Sequence, residues 1–410
     1  MLAPLLALLL GDLPAPGPAL KAELTRAWAR EGGRTWGRPL SGPTLFVDPA
    51  TRRAWGTEAD AGGKLRPEGP WYTGTLPPET LIANTAVAWS GTRWSMVLLP
   101  LPDSPEARGV LLLHESWHRL QPSLGLDVED RACGHLDGLE GRIWLRLEWR
   151  ALARALTAQG HARRAWAQAA LAFRARRHGA LPGAQEAERL LELAEGLAEY
   201  TGVRTFGRLE TLVAQLGREA GPFSRSFAYT SGPAYGLLLD EARPGWTRAV
   251  DRNTDLAGLL SKSLGPASLE EVEARLAELG AAKVRQEEEA RAAERQARLA
   301  ALQRRYAEGP TLTVPGPFQL QFNPSNTEGL EDGSAYHPTA TYVGPWGRLV
   351  VTEGSLRAKD WMAARVIVPV GAASLPVQGP GWTLTLSPGW EGVPTEPAGS
   401  WTLRPAAKQD

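Results

Sequence analysis

The sequence holds one cysteine, Cys133. No intrachain disulfide can form, and no zinc cluster can be built on cysteine ligands. Neither sign of charge is in excess, since Lys plus Arg and Asp plus Glu both number 45. That balance leaves no electrostatic footprint for nucleic acid or for an anionic membrane surface, and neither is expected as a partner. No apolar stretch reaches the roughly 20 residues that a membrane-spanning helix needs, so no stable membrane span is expected. The longest run, at the start of MLAPLLALLLGDLPAPGPALKAE, covers about ten residues. No Lys or Arg precedes it, yet its length and the small residues at Gly17-Pro18-Ala19 fit a signal peptide over residues 1–19. Export to a periplasm or beyond the cell is therefore favoured over a cytoplasmic location. No internal repeat is visible.

What is present suits a soluble globular chain. Apolar residues make up 43% and charged residues 22%, and 410 residues suffice for two or three domains with a sizeable core. The 16 Trp, 33 Pro and 44 Gly fit many turns and packed loops.

The expected fold class is α+β. Residues 20–32 read as a short helix within a β-rich part spanning 20–105. There GPTLFVD and RRAWGT flank a turn, and TLIANTAVAWSGTRWSMVLLPLP is two apolar runs about Ser90-Gly91, a hairpin signal. An antiparallel sheet follows from these. Residues 106–266 read as a helical core. ARGVLLLHESWHRLQ is apolar on nearly every side and so buried, and Leu145, Trp149, Leu152 and Leu156 recur at helical spacing. ARRAWAQAALAFRARRH and AQEAERLLELAEGLAEYTG each meet a glycine that reads as a helix end, and Ser231 reads as a helix cap. Residues 267–309 read as one long charged helix, or two joined near Gly280, with a solvated face. Residues 310–410 read as an all-β module of short strands between Pro/Gly turns.

The chemistry sits in HESWH. On a helix, positions i and i+4 share a face, so His114 and His118 can address one metal ion. Glu115 projects about 100° away, where it can reach the water that such an ion activates. Burying two imidazoles and a carboxylate on an apolar helix without partners would be costly, which favours a real site. A catalytic zinc needs a third protein ligand, and the candidate is Glu195 in LELAEGLAEYTG. Leu191 and Ala198 place Glu195 at the core boundary, whereas Glu192 turns about 60° toward the polar side. Gly196 would permit close helix approach, and Glu199, one turn on, could hydrogen-bond a ligand histidine. An acidic stripe on an ordinary amphipathic helix is the other reading of these glutamates.

HExxH followed by Glu-x-x-Ala-acid resembles the gluzincin branch of the zincin metallopeptidases. The resemblance implies one zinc per chain, held by His114, His118 and Glu195, with Glu115 as general base and Glu199 orienting a histidine. It implies hydrolysis of a peptide or protein substrate. Leu111, Leu112 and Leu120 suit the apolar positions around the motif. Arg119 stands where the family keeps an uncharged residue, and His118 and Glu195 lie 77 positions apart.

A peptidase also needs a donor for the oxyanion. Tyr229, ahead of a Ser-Gly-Pro turn, is the first candidate, with Tyr235 and His135 as others; Asp137 is close enough in sequence to hold the His135 ring. His161, His178 and His337 read as surface. The strand RWSMVLLP is a possible docking edge for an extended peptide. The alternative to an enzyme is an inactive zincin-fold binding or assembly protein working through the charged helix and the C-terminal module. A third reading makes that module a carbohydrate or envelope binder, provided its Trp rings line one face rather than its core.

Overall fold

The computed structural model describes residues 15–77, 80, 82–129, 131, 133–323, 326–330, 332–368 and 374–407. The apolar run proposed as a leader lies almost wholly outside the described residues. The chain divides into two compact units, Met1–Glu288 and Glu289–Asp410, and the fold class is α+β. Among the described residues, no helix is long and apolar enough to cross a membrane.

The first unit opens with α1 (Pro18–Glu31) and six strands: β1 (Thr44–Val47), β2 (Arg53–Gly56), β3 (Arg66–Glu68), β4 (Trp71–Thr75), β5 (Thr85–Trp89) and β6 (Thr92–Leu98). They form one sheet in the order β3-β4-β2-β1-β6-β5. Its pairs are antiparallel except β1–β6, which is parallel. The β5–β6 turn works because Ser90 and Gly91 both take positive φ, 49° and 75°, as a twist-matched two-residue hairpin requires. The sheet is buried on both faces, which explains the unbroken apolar run of β1. Phe46, Trp55 and Val97 face Leu24 of the first helix and Leu112 of the helix that follows the sheet. Leu45, Val47, Trp94 and Met96 pack the other side. RWSMVLLP is not an edge: β6 has β1 and β5 on its two sides, and β5 ends the sheet.

The helices are α2 (Pro105–Leu120), α3 (Leu139–Thr157), α4 (Gly160–Ala180), α5 (Ala184–Leu191), α6 (Leu197–Phe206), α7 (Leu209–Leu216), α8 (Ala228–Ala242), α9 (Leu256–Leu264), α10 (Leu269–Glu278) and α11 (Ala281–Glu308). α2 starts as its sequence dictates. Ser104 caps it, accepting from the Ala107 amide, and Pro105 occupies the first turn, where its missing N–H costs nothing. α5 and α6 are one continuous rod joined by a π-helical turn, Glu192–Gly196. The charged segment is two helices, broken at Gly280 with φ of 68°.

Three expected helix boundaries move. Gly179 and Gly202 lie inside α4 and α6, and Ser231 lies inside α8. Gly202 is needed for packing rather than termination: a Cβ there would sit 2.6 Å from the Val110 carbonyl oxygen. Ser231 is buried and accepts from Trp149 Nε1 at 2.8 Å.

In the second unit, β7 (Thr311–Pro315), β8 (Gln319–Phe322), β9 (Glu328–Gly329), β10 (Ala335–His337), β11 (Ala340–Gly344), β12 (Gly347–Val351), β13 (Ser355–Arg357), β14 (Ala363–Ile367), β15 (Gln378–Gly379), β16 (Trp382–Leu386), β17 (Trp390–Thr395) and β18 (Ser400–Pro405) make two sheets. Their orders are β17-β18-β7-β14-β13-β10-β9 and β15-β16-β12-β11-β8. One core draws on both: Leu312, Val366 and Leu403 from the first, Tyr342, Leu349 and Leu384 from the second. This is a sandwich. Trp346, Trp382 and Trp401 are spent in that core, Trp390 packs half-buried against it, and Trp361 is the one exposed Trp of the module. The Trp residues form no sugar-stacking row, so that reading falls.

Candidate metal centre

α2 and α6 are brought together by reciprocal glycines. A Cβ on Gly109 of α2 would meet the Phe206 ring at 2.5 Å, and one on Gly202 of α6 would meet the Val110 backbone. A third close approach, Gly196 against Gly232, sets α8 on the π turn. Close backbones let short side chains from different helices reach one point. Within HESWH, the two residues between the acid and the second histidine turn the other way. Ser116 accepts from Trp28 Nε1 at 3.0 Å, and Trp117 is fully buried against Trp36. Arg119 also points away, donating to the carbonyls of Leu40 and Ser41, so a charge at this position does not enter the site.

His114 and His118 present Nε2 atoms 3.0 Å apart, and Glu195 Oε2 is 3.4 Å from each. Their other nitrogens are committed. His114 Nδ1 donates to Glu199 Oε2 at 2.8 Å. His118 Nδ1 faces Gln121 Oε1 at 3.3 Å, and that amide is oriented by its own N–H donating to the Leu126 carbonyl. With both Nδ1 atoms as donors, both Nε2 atoms keep lone pairs. Two lone pairs and a carboxylate oxygen then converge, an arrangement that demands positive charge at the centre. A proton is one way to supply it. Burial lowers the basicity of His114, but hydrogen bonds to Glu195 and Glu199 outweigh this and push it up to about 10. A metal ion is the other. Tetrahedral zinc with bonds of about 2.0–2.1 Å has ligand–ligand edges of about 3.3 Å, close to the observed 3.0, 3.4 and 3.4 Å. The donor set of two imidazoles and a carboxylate fits zinc, so these residues fit the group the motif suggested.

Glu115 is 3% exposed, and its Oε2 finds no hydrogen-bond partner among the described residues. Burial raises its carboxyl above the ordinary range, against the nearby histidines, which lower it. Tyr229 sits on the first turn of α8, not on a loop. Its O–H donates to Glu195 Oε2 at 2.7 Å and its ring stacks on His114, with centroids 5.5 Å apart. Burial and the Glu195 charge push its phenol well above the usual range. Arg225, missed in the sequence, has a guanidinium nitrogen 3.8 Å from Glu195 Oε1. Only its position four residues before Tyr229 hinted at it.

These groups floor a cleft of about 690 Å³. Asn84 and Thr85 at the edge strand β5 border it, with Val110 and Leu111 of α2, Val203 of α6 and Leu212 of α7 as apolar walls.

His135 does not belong to the cleft. Its Nε2 bonds Glu188 at 2.8 Å, and Asp137 accepts from the Phe223 amide rather than holding the His135 ring. Tyr235 is also elsewhere, donating to Glu148 at 2.9 Å. Both join a buried ionic network. Arg177 bridges Glu148 and Glu188, each at 2.6 Å, and Arg174 grips Glu192 at 2.5 and 2.9 Å. Burial would raise Glu188, but Arg177, His135 and His178 hold it well below the usual range. Glu192 therefore faces the core and not the polar side, because the π turn shifts the helical phase. His178 bonds Glu188, and His337 is 1% exposed, so neither is a surface residue; His161 is exposed.

No protein-family model, curated protein or solved structure matches the chain.

Proposed function

We propose that the chain is a zinc-dependent metallopeptidase with one zinc ion, of the gluzincin kind that its HESWH motif resembles. The observation that carries this reading is the convergence of His114 Nε2, His118 Nε2 and Glu195 Oε2 beside the unpartnered carboxylate oxygen of Glu115. His114, His118 and Glu195 would hold the ion, which supplies Lewis acidity toward a carbonyl and toward water. Glu115 takes the proton of the attacking water and returns it to the leaving amine. Its burial suits this, since a carboxyl raised above its usual range is a better base near neutral pH. Glu199 and Gln121 hold the two rings in the tautomer that keeps their lone pairs inward. Tyr229, turning from Glu195, donates to the oxygen on which negative charge develops. The side of β5 left unpaired among the described residues, at the end of its sheet, gives an extended peptide backbone a partner beside the cleft.

The test is zinc content of wild type beside His118→Ala and Glu195→Ala, with peptide hydrolysis read on Glu115→Gln. The expected result is about one zinc per chain, lost in both ligand variants and kept in Glu115→Gln, whose hydrolysis falls by about 100-fold or more. A wild type that takes up no zinc on reconstitution would overturn the reading in favour of a binding protein without catalysis.

A further inference from the structure

The cleft does not stop at the metal centre. It shares Glu106, Gly207 and Arg208 with a second cavity of about 560 Å³. The two make one groove along α2, and the ion pair between Glu106 and Arg208 lies at their junction. The second cavity has a different chemistry. Arg26, Arg30, Arg108 and Arg208 line it against Glu23 and Glu106, an excess of two positive charges. Glu23 is taken by Arg108 at 2.8 Å and Glu106 by Arg208. What remains is the charge of Arg26 and Arg30, one turn apart on α1, neither in an ion pair among the described residues. The Arg30 guanidinium lies 4.5 Å from the Phe206 ring centroid. Stacking occupies its face and leaves its N–H edge, the edge that grips a carboxylate. The wall also holds the start of α2 at Pro105, where the helix dipole favours negative charge. Two arginines on a convex surface would be solvated charges and nothing more. These two line a concavity that opens into the cleft.

We propose that this cavity binds a carboxylate of the peptide substrate, three or four residues from the bond that is cut. The proposal rests on the peptidase reading. The spacing follows from α2. Eight residues separate Glu106 from His114, about 12 Å at a rise of 1.5 Å per residue, and an extended peptide covers that span in about four residues. An Asp or Glu side chain and a free C-terminal carboxylate bring the same chemistry.

The test uses the zinc-loaded full chain and quenched fluorescent peptides with Glu or Gln at each position within about five residues of the cut bond, each made with a free or amidated C-terminus. The expected result is a preference of about 5-fold in kcat/KM for Glu over Gln, or for the free carboxylate over the amide, confined to one position three or four residues away. In Arg26→Gln/Arg30→Gln that ratio falls toward one, and in wild type it fades as salt rises. The first preference assigns the site to a side chain and the second to a chain end. No preference at any position, or a preference that survives in the double variant, overturns the proposal. If no peptide is cut, fluorescence polarisation of the same peptides on Glu115→Gln decides. Tighter binding of the carboxylate-bearing peptide, lost in the arginine variant, keeps the site while the peptidase reading fails; equal binding sinks the site.

Discussion

The Nε2 atoms of His114 and His118 face each other across 3.0 Å because Glu199 and Gln121 hold their far nitrogens. Neither ring can turn away without breaking its Nδ1 hydrogen bond, so both ring nitrogens stay turned on the point where the proposed zinc would sit. Zinc at about 100 times its Kd should stabilise the fold by about 2.7 kcal/mol. For a unit of this size, Met1–Glu288, that is a rise in Tm of about 4–5 °C, reversed by chelator. Glu199→Gln should weaken zinc binding by about 10–100-fold while leaving the three donors in place. Differential scanning fluorimetry with zinc titration checks both. A Tm that ignores zinc and chelator in wild type would contradict a cation site.

Gly232 lies so close to Gly196 that a Cβ added to it would stand 2.4 Å from the Gly196 Cα. The obstacle is backbone, which no rotamer change removes. Gly232→Ala should push α8 off the π turn that carries Glu195, at a cost of about 1–3 kcal/mol, and weaken zinc binding as Glu195 and Tyr229 shift together. Gly179→Ala is the control. It is also inside a helix, nothing lies within 4 Å of its added Cβ, and the change should be neutral or stabilising by up to about 1 kcal/mol. Urea unfolding of the two variants side by side checks the contrast.

The legible parts of the site were those set by local spacing. His114, Glu115 and His118 follow from one helical period, and Gly196 beside Glu195 announced a close helix. What stayed hidden depends on long-range partners. Glu192 looked like part of a solvated stripe because nothing near it in sequence reveals Arg174 waiting in the core, and because a π turn resets the phase on which the 60° argument relied. His135 looked like a site residue for the same reason: its partner, Glu188, is 53 positions away. Gly202 looked like a terminus because a glycine that permits a crossing and one that ends a helix are alike in sequence. In the fold, the β5–β6 hairpin was legible from Ser90-Gly91, while the parallel pairing of β1 with β6 was not, since it joins strands that no turn connects.

His337 carries the last prediction, in the C-terminal sandwich. The Thr327 hydroxyl donates to the Asn323 carbonyl at 3.0 Å and so accepts from His337 Nδ1, also at 3.0 Å. That leaves Nε2 as a buried lone pair without a partner among the described residues. Protonating it would place a charge inside the module near Arg357. Burial first, and then Arg357, hold the ring down from 6.5 to about 4. The sign follows. Above pH 6.5 the ring is neutral folded or unfolded, and it costs nothing. Between 6.5 and 4 the unfolded chain takes a proton that the folded chain refuses, so stability falls as pH falls. Below 4 both states are protonated and the loss is complete, about 1–3 kcal/mol. His337→Gln removes the titration and should flatten the stability of this module between pH 6.5 and 4. Hydrogen exchange of the amides in β10 and β11 of the full chain, followed across that range, reads it directly. Wild-type protection that stays level while the pH drops from 6.5 to 4 would show that the ring protonates without penalty.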